Sequence, residues 1–237
     1  MFYTITPMMM GRFVKHEKSA FTYKKDFGIG LNAPLFTFLV QGGGKNILFD
    51  CGPESPELAP LKTHRTITDH VSLSDKLAQQ GLQPADIDAV VLSHLHWDHS
   101  YNLELFLDKP IYVQAEEIRA AHNYNVKDGN GLPQWLAGYE SMVQLQGDYQ
   151  LSEGLLIVTL PGHSPGLQGL LVDTAKGRCL LASDHYPLIE NFDAGIPAGS
   201  HTSLHQWYQS HEKAKRMADF VLPGHDDCVL NQTLYGI

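Results

Sequence analysis

Ala89-Val90-Val91-Leu92 runs directly into Ser93-His94-Leu95-His96-Trp97-Asp98-His99. The first four residues read as a buried strand. The seven that follow crowd three histidines and an aspartate into the place where the chain leaves the sheet. Side chains two apart on extended backbone point the same way, so His94 and His96 can share one metal ion. Asp98 and His99 can serve a second ion if the loop curls back. Imidazole nitrogen with carboxylate oxygen suits zinc, and imidazole also accepts iron, nickel or cobalt. A solitary histidine is usually a packed or solvated residue; His-x-His-x-Asp-His behind a strand is a different pattern.

Four local side chains cannot complete two sites, because each ion takes three or four protein groups. Further candidates lie far along the chain. His163 sits in Pro161-Gly162-His163-Ser164-Pro165-Gly166 after the apolar run Leu155 to Leu160, Asp184 follows Cys179-Leu180-Leu181-Ala182-Ser183, and His225 follows Phe220-Val221-Leu222-Pro223-Gly224. Each comes after a short strand-like segment, so separate strand ends can deliver ligands to one place.

With these residues in view, the chain resembles the metallo-β-lactamase superfamily and, within it, the N-acyl homoserine lactonase-like metallohydrolases. The resemblance runs from about Leu35 to Asp226. It includes Ile47-Leu48-Phe49-Asp50-Cys51-Gly52, the stretch Gly81 to Asp88, Gly147-Asp148-Tyr149, the Pro-Gly-His-Ser-Pro-Gly segment and Glu190-Asn191-Phe192. It implies His94, His96 and His163 on one metal, Asp98, His99 and His225 on the other, Asp184 bridging, and Asp50 as an acceptor that orients the ligands. It also implies two divalent metal ions, zinc first, with manganese, iron, cobalt or nickel as alternatives. Two positions depart from the lactonase pattern. Leu167 stands where a histidine is usual, and Pro187 stands where a tyrosine is usual. Tyr186, one position early, is the candidate donor to a substrate carbonyl.

Composition sets the frame. A chain of 237 residues with 43% hydrophobic content suits one large core, so residues 1–237 are expected to form a single hydrolase domain. Alternating strands and helices in two halves fit an α/β fold, the four-layer αβ/βα sandwich of the family. A formal net charge of -9 argues against nucleic acid or an anionic membrane as partner. A small-molecule substrate remains, and a homodimer is compatible with the sequence. Cys51, Cys179 and Cys228 have no paired spacing and read as small buried residues in a reducing compartment. No charged leader with an apolar core opens the chain, and no run approaches the roughly 18 apolar residues of a membrane span. A cytoplasmic protein is the expectation.

Residues 11 to 33 mix Lys15, His16, Lys18, Lys24 and Lys25 with Phe13, Phe21, Tyr23 and Phe27. They read as a first hairpin with a solvated face; the alternative, implied by the resemblance, is a flap over the site. Pro34 to Val40 and Lys45 to Asp50 form two strands about a glycine turn. The proline-rich stretch from Cys51 to His70 is loop, with His64 and His70 as surface or rim histidines. Val71 to Gln80 has helical spacing, with Ser72 or Ser74 as cap and Gly81 as stop. A short helix is expected after His99, a strand at Ile111 to Val113, and a helix from Ala115 to about Tyr124. Between Asn125 and Gln150 no period dominates; Trp135, Tyr139 and Met142 are either peripheral core or an apolar wall for an acyl chain. Trp97 is open in the same way. Asn191 to His201 reads as loop, and Ser203 to about Asp219 as helix, with His205 and His211 off any common face.

The chemistry expected from the resemblance is opening of a lactone ring, most simply an N-acyl homoserine lactone. A metal-bridging hydroxide attacks the carbonyl, with Asp98 or Asp184 handling the proton. Other classes use related ligands. A glyoxalase II-type thioesterase is expected to carry a C-terminal glutathione-binding segment, a pyridoxolactone-like ring is a second lactone candidate, and a mononuclear iron dioxygenase shares the fold. A diiron flavoprotein typically has glutamate at the position of His96. A β-lactamase calls for an export signal.

Overall fold

The inner strands of this protein are apolar on both faces, and the computed structural model, which describes residues 1–53, 67–127 and 138–237, shows why. In chain order the strands are β1 (Thr4–Phe13), β2 (His16–Glu17), β3 (Gly30–Leu31), β4 (Pro34–Gly42), β5 (Lys45–Phe49), β6 (Ile67–Thr68) and β7 (Ala89–Val91). Then come β8 (Ile111–Gln114), β9 (Val143–Leu145), β10 (Tyr149–Ser152), β11 (Leu155–Thr159), β12 (Gln168–Thr174), β13 (Gly177–Ser183) and β14 (Phe220–Pro223). One sheet has the order β6-β1-β4-β5-β7-β8-β9, the other β10-β11-β12-β13-β14, and β2 pairs with β3 alone.

Successive side chains of a strand face opposite ways, and here both directions lead into packed cores. Phe36, Phe38, Val40, Ile47, Phe49, Ala89 and Val91 meet Leu155, Ile157, Leu170, Val172, Cys179 and Leu181 between the sheets. The alternate residues Leu35, Leu39, Leu48 and Val90 turn outward onto Leu73, Leu77, Leu103, Phe106 and Ile118. On the other side Val158, Leu171, Leu180 and Ala182 pack on Trp207 and Ala214. Helix, sheet, sheet and helix thus make the expected α/β four-layer sandwich.

The helices are α1 (Leu73–Gln79), α2 (Trp97–Ser100), α3 (Ala115–Lys127), α4 (Ile189–Ala194) and α5 (Leu204–Met217). Ser72 Oγ accepts from Asp75 N and Ser203 Oγ from Gln206 N, so two serines satisfy helix-start donors. The expected helices at 71–80, after His99, at 115–124 and at 203–219 are therefore present with shifted ends. Two expectations need correction. Asn191, read as loop, lies inside α4, where its side chain accepts from Leu188 N and donates to the carbonyls of Phe21 and Ile196. The first ten residues, to which no element was assigned, are largely strand β1, paired with β4 over most of its length. His64 and Trp135 lie outside the described residues. The cysteines are free, with Cys51 and Cys179 buried. No helix among the described residues is long and apolar enough to cross a membrane.

Candidate metal centre

Strands β5, β7, β11, β13 and β14 all end on one edge of the two sheets, and the residues just beyond them converge. β5 and β7 are parallel neighbours, as are β13 and β14, while β11 runs the same way as β13 through two antiparallel steps. Crevices at strand carboxyl ends are where open α/β sheets bind ligands.

Two groups form there. His94, His96, His163 and Asp184 make one, and Asp98, His99 and His225 the other. His96 Nδ1 lies 2.8 Å from His94 Nε2 and 3.1 Å from His163 Nε2. Asp184 stands between the groups. Its Oδ2 is 3.2 Å from His163 Nε2 and 3.8 Å from His94 Nε2; its Oδ1 is 2.8 Å from His225 Nε2 and 3.3 Å from His99 Nε2. Asp98 Oδ2 lies 3.6 Å from His99 Nε2 and 3.8 Å from His225 Nε2. Ligands about 2.0–2.1 Å from a tetrahedral ion lie roughly 3.3 Å from one another, and the observed spacings straddle that value.

The far side of each buried ring is fastened. His94 Nδ1 is 2.9 Å from Ser93 Oγ, and His99 Nδ1 is 2.8 Å from Asp50 Oδ2. His163 Nδ1 donates to the Ser200 carbonyl at 2.7 Å, and His225 Nδ1 to the Pro34 carbonyl at 2.9 Å. Donation from Nδ1 leaves Nε2 as a lone pair aimed at the centre, the arrangement a metal ligand needs. Asp50 also accepts from Ser93 N at 2.7 Å and Ser93 Oγ at 2.9 Å, and Ser183 Oγ donates to Ser93 Oγ at 2.8 Å. Asp50 and Ser183 both have left-handed backbone, φ 64° and 48°. Such conformations are uncommon for residues other than glycine and concentrate at functional sites.

The electrostatics match a site built for cations. Burial disfavours charge on His99, yet Asp98, Asp184 and Asp50 outweigh it and push its pKa well up. His225 is raised in the same way by Asp184 and Asp98. Burial also works against a charged Asp184, but His225, His99 and His163 hold its carboxyl well below the usual range. Burial drives His94 down, with His96 and His99 adding to it. Two buried atoms, His99 Nε2 and Asp184 Oδ1, make no well-directed hydrogen bond despite these short separations. Both face the centre, so the donor set fits a pair of divalent ions.

A cavity of about 60 Å³ opens onto this cluster, lined by His96, Asp98, His163, Asp184 and His225 on one side and by Phe13, His16, Ala20, Phe21, Pro187 and Ser200 on the other. The segment from Phe13 to Phe21 is thus a wall of the site, which favours the flap over the solvated hairpin. His16 stacks on Phe13, ring centroids 5.1 Å apart, and lies 4.8 Å from Phe21. Trp97 packs on the outer core with its edge toward Phe13, 6.0 Å away, and does not line the cavity. Tyr139 and Met142 likewise join that core, which favours the packing reading for the described part of the insert.

Tyr186 requires correction. It is fully buried, its hydroxyl is 2.8 Å from His211 Nδ1, and it packs with Leu160, Leu167 and Trp207 behind the small sheet. After Ser183 the chain makes a tight turn, with His185 N bonded to Ala182 O and Tyr186 N to Ser183 O. That turn leaves Asp184 in the site and sends Tyr186 into the core, so it is not placed to touch a substrate. Pro187, not Tyr186, reaches the cavity. Several contributors escaped the sequence reading, Ser183 and the Pro34 carbonyl among them. Ser200 acts through its carbonyl, which no residue type signals. Glu117 sits in the first turn of α3 and resembles any acidic helix start.

Fold and site together define a two-sheet αβ/βα protein with side chains gathered for two metal ions at its strand ends. The family model of the metallo-beta-lactamase superfamily matches residues 34–225, and the chain belongs to that superfamily. An N-acyl homoserine lactonase of Bacillus cereus is 30% identical over 210 residues, covering 83% of this chain and 82% of the relative. N-acyl homoserine lactonase AiiB of Agrobacterium fabrum is 28% identical over 196 residues, 74% of this chain and 70% of that one. A crystal structure of a B. thuringiensis AiiA variant with N-decanoyl-L-homoserine bound at the active site superposes with a TM-score of 0.81 at 25% identity, covering 95% of this chain and 94% of its own.

Proposed function

We propose that this chain, as one hydrolase domain in the cytoplasm, opens the ring of an N-acyl homoserine lactone by adding water across the ester. The observation that carries the reading is Asp184, whose two oxygens each face a separate histidine group. His94, His96 and His163 would hold one ion, Asp98, His99 and His225 the other, and Asp184 both. Zinc is the first candidate for both. A bound pair of divalent cations supplies Lewis acidity, which polarises a carbonyl and makes water nucleophilic near neutral pH.

The protein's own groups do the rest. Asp98 lines the cavity, and its carboxylate takes the proton that water loses and returns it to the ring oxygen as the C–O bond breaks. The new bond joins the water oxygen to the carbonyl carbon, and the products on the same chain are one hydroxyl and one carboxylic acid, which ionises to a carboxylate and releases its proton to solvent. Phe13, Ala20, Phe21 and Pro187 give the substrate an apolar surface and keep bulk water off. The lactonase relatives, which span most of this chain, support the substrate class.

Proton release in weak buffer tests the reading. Zinc- or manganese-loaded protein mixed with an N-acyl homoserine lactone is expected to acidify the solution, and metal-stripped protein is not. No acidification with both sites filled would reject the substrate.

A further inference from the structure

Helix α3 begins beside the two loops that carry His94, His96 and His163, and one side chain touches both. Glu117 is 4% exposed. Its Oε1 accepts from Leu95 N, the amide between His94 and His96, at 3.2 Å. Its Oε2 accepts from Ser164 Oγ at 2.7 Å and from Gly166 N at 2.9 Å, in the loop that follows His163. The approach is close: a Cβ on Gly166 would run into the Glu117 backbone. A buried carboxylate is costly unless its oxygens are satisfied, so three donors that need an acceptor and one acceptor that needs donors fix each other. Neither Asp98, His99 nor His225 has a hydrogen bond to it among those described.

We propose that Glu117 is the positioning residue for one half of the centre: it ties the His94–His96 loop to the His163 loop and so sets the spacing of that half's three imidazoles. The inference rests on the two-cation reading above and adds an asymmetry, because Glu117 bonds only to the loops of this half among the described residues, whereas Asp50 holds His99 and also reaches His94 through Ser93. An amide in the same place breaks the arrangement without removing volume. Its oxygen can serve one loop, but its NH₂ then faces a donor of the other.

Zinc affinity by competition with a chromophoric chelator tests this, together with the thermal midpoint of the metal-free protein. Wild-type protein is expected to take up two ions. Glu117→Gln is expected to weaken one of them roughly 10–100-fold, the range for outer groups that orient ligands, and to leave the other unchanged. Ser164→Ala, which removes one donor and keeps the carboxylate, should weaken the same ion by less, and it stands in should Glu117→Gln not fold. The exposed neighbour change Glu116→Gln should alter neither. Parallel weakening of both ions with a lowered midpoint would show a merely structural residue and overturn the inference, as would wild-type affinity at both. Wild-type protein that binds fewer than two ions would overturn the proposed function, and this inference with it.

Discussion

His94, His99, His163 and His225 are buried, and each hands its second ring nitrogen to a fixed acceptor. The facing wall is held differently. The flap from Phe13 to Leu31 is partly exposed and tied to α4 by ion pairs, Lys18 Nζ to Glu190 at 2.7 Å and Lys25 Nζ to Glu190 at 2.8 Å, with Lys18 also on Asp26 at 3.0 Å. Asn191 adds a buried hydrogen bond to the Phe21 carbonyl. Rigid groups that must hold a geometry are over-determined; the wall that must admit a substrate is anchored by buried Phe13 and Phe21, and its exposed edge rests on ion pairs that are individually weak. Mutations on the two sides should therefore differ by orders of magnitude in effect and in kind.

The largest effect is expected at Asp184. Asp184→Asn keeps the shape but removes the charge both groups share, and hydrolysis should fall by well over the roughly 100-fold that an outer orienting group carries. The circular dichroism spectrum should keep its native form. Normal turnover by this variant would remove the central contrast. One step outward, Asp50→Asn leaves the ligands in place but disturbs His99, Ser93 and, through Ser93, His94; a loss of about 10–100-fold in kcat/KM is expected.

Proton counting sharpens the same side. His99 and His225 have raised pKa values in the metal-free protein, against burial and because of their carboxylates. The raised values favour the protonated rings, so metal uptake competes with protons at both. Calorimetric titration with zinc in buffers of different ionisation enthalpy should show release that declines only as pH rises through the raised values. For the metal-free fold the sign is the same. The stabilisation these two histidines contribute is complete below their ordinary value of 6.5 and is lost as pH rises through the higher folded one. Uptake without proton release would contradict it.

How much of this could be read beforehand depended on where the information lay. Four ligands fall within six residues of one loop, and three more follow apolar runs, so spacing and strand context revealed them. Strands β4, β5, β7, β8, β11, β13 and β14 were legible because short apolar runs mean burial on both faces, whereas β1, β6, β9, β10 and β12 were not assigned. Tyr186 was misplaced because it was chosen for standing one position before the tyrosine usual in the resembled family, whereas hydrogen bonds across Ser183 wind the chain into a turn that buries its side chain. Asn191 was read as loop because six residues give too little periodicity to detect, and its role lies in bonds to residues 21 and 196. The flap had apolar and basic residues in the right proportion for either reading. Only the fold shows Phe13, His16 and Phe21 beside His96 and Asp98.

The flap gives the smallest expected effect and the clearest difference in kind. A cavity of about 60 Å³ is below the roughly 300 Å³ at which small-ligand pockets begin, so the flap must yield to admit a substrate of ordinary small-molecule size. Lys18→Met with Lys25→Met removes the ion pairs and leaves Phe13, His16 and Phe21 in the chain. Exposed pairs contribute little individually, so KM should change by no more than about fivefold, with metal content untouched. Acid should mimic the mutation. Partial burial pushes the Glu190 carboxyl up, but Lys18 and Lys25 outweigh it and hold it below its ordinary 4.5. The tie is therefore complete above that value and is lost as pH falls through the lower folded one. Metal loss in the double variant would mean that the wall and the ligand cluster are one mechanical unit, and the distinction between them would fail.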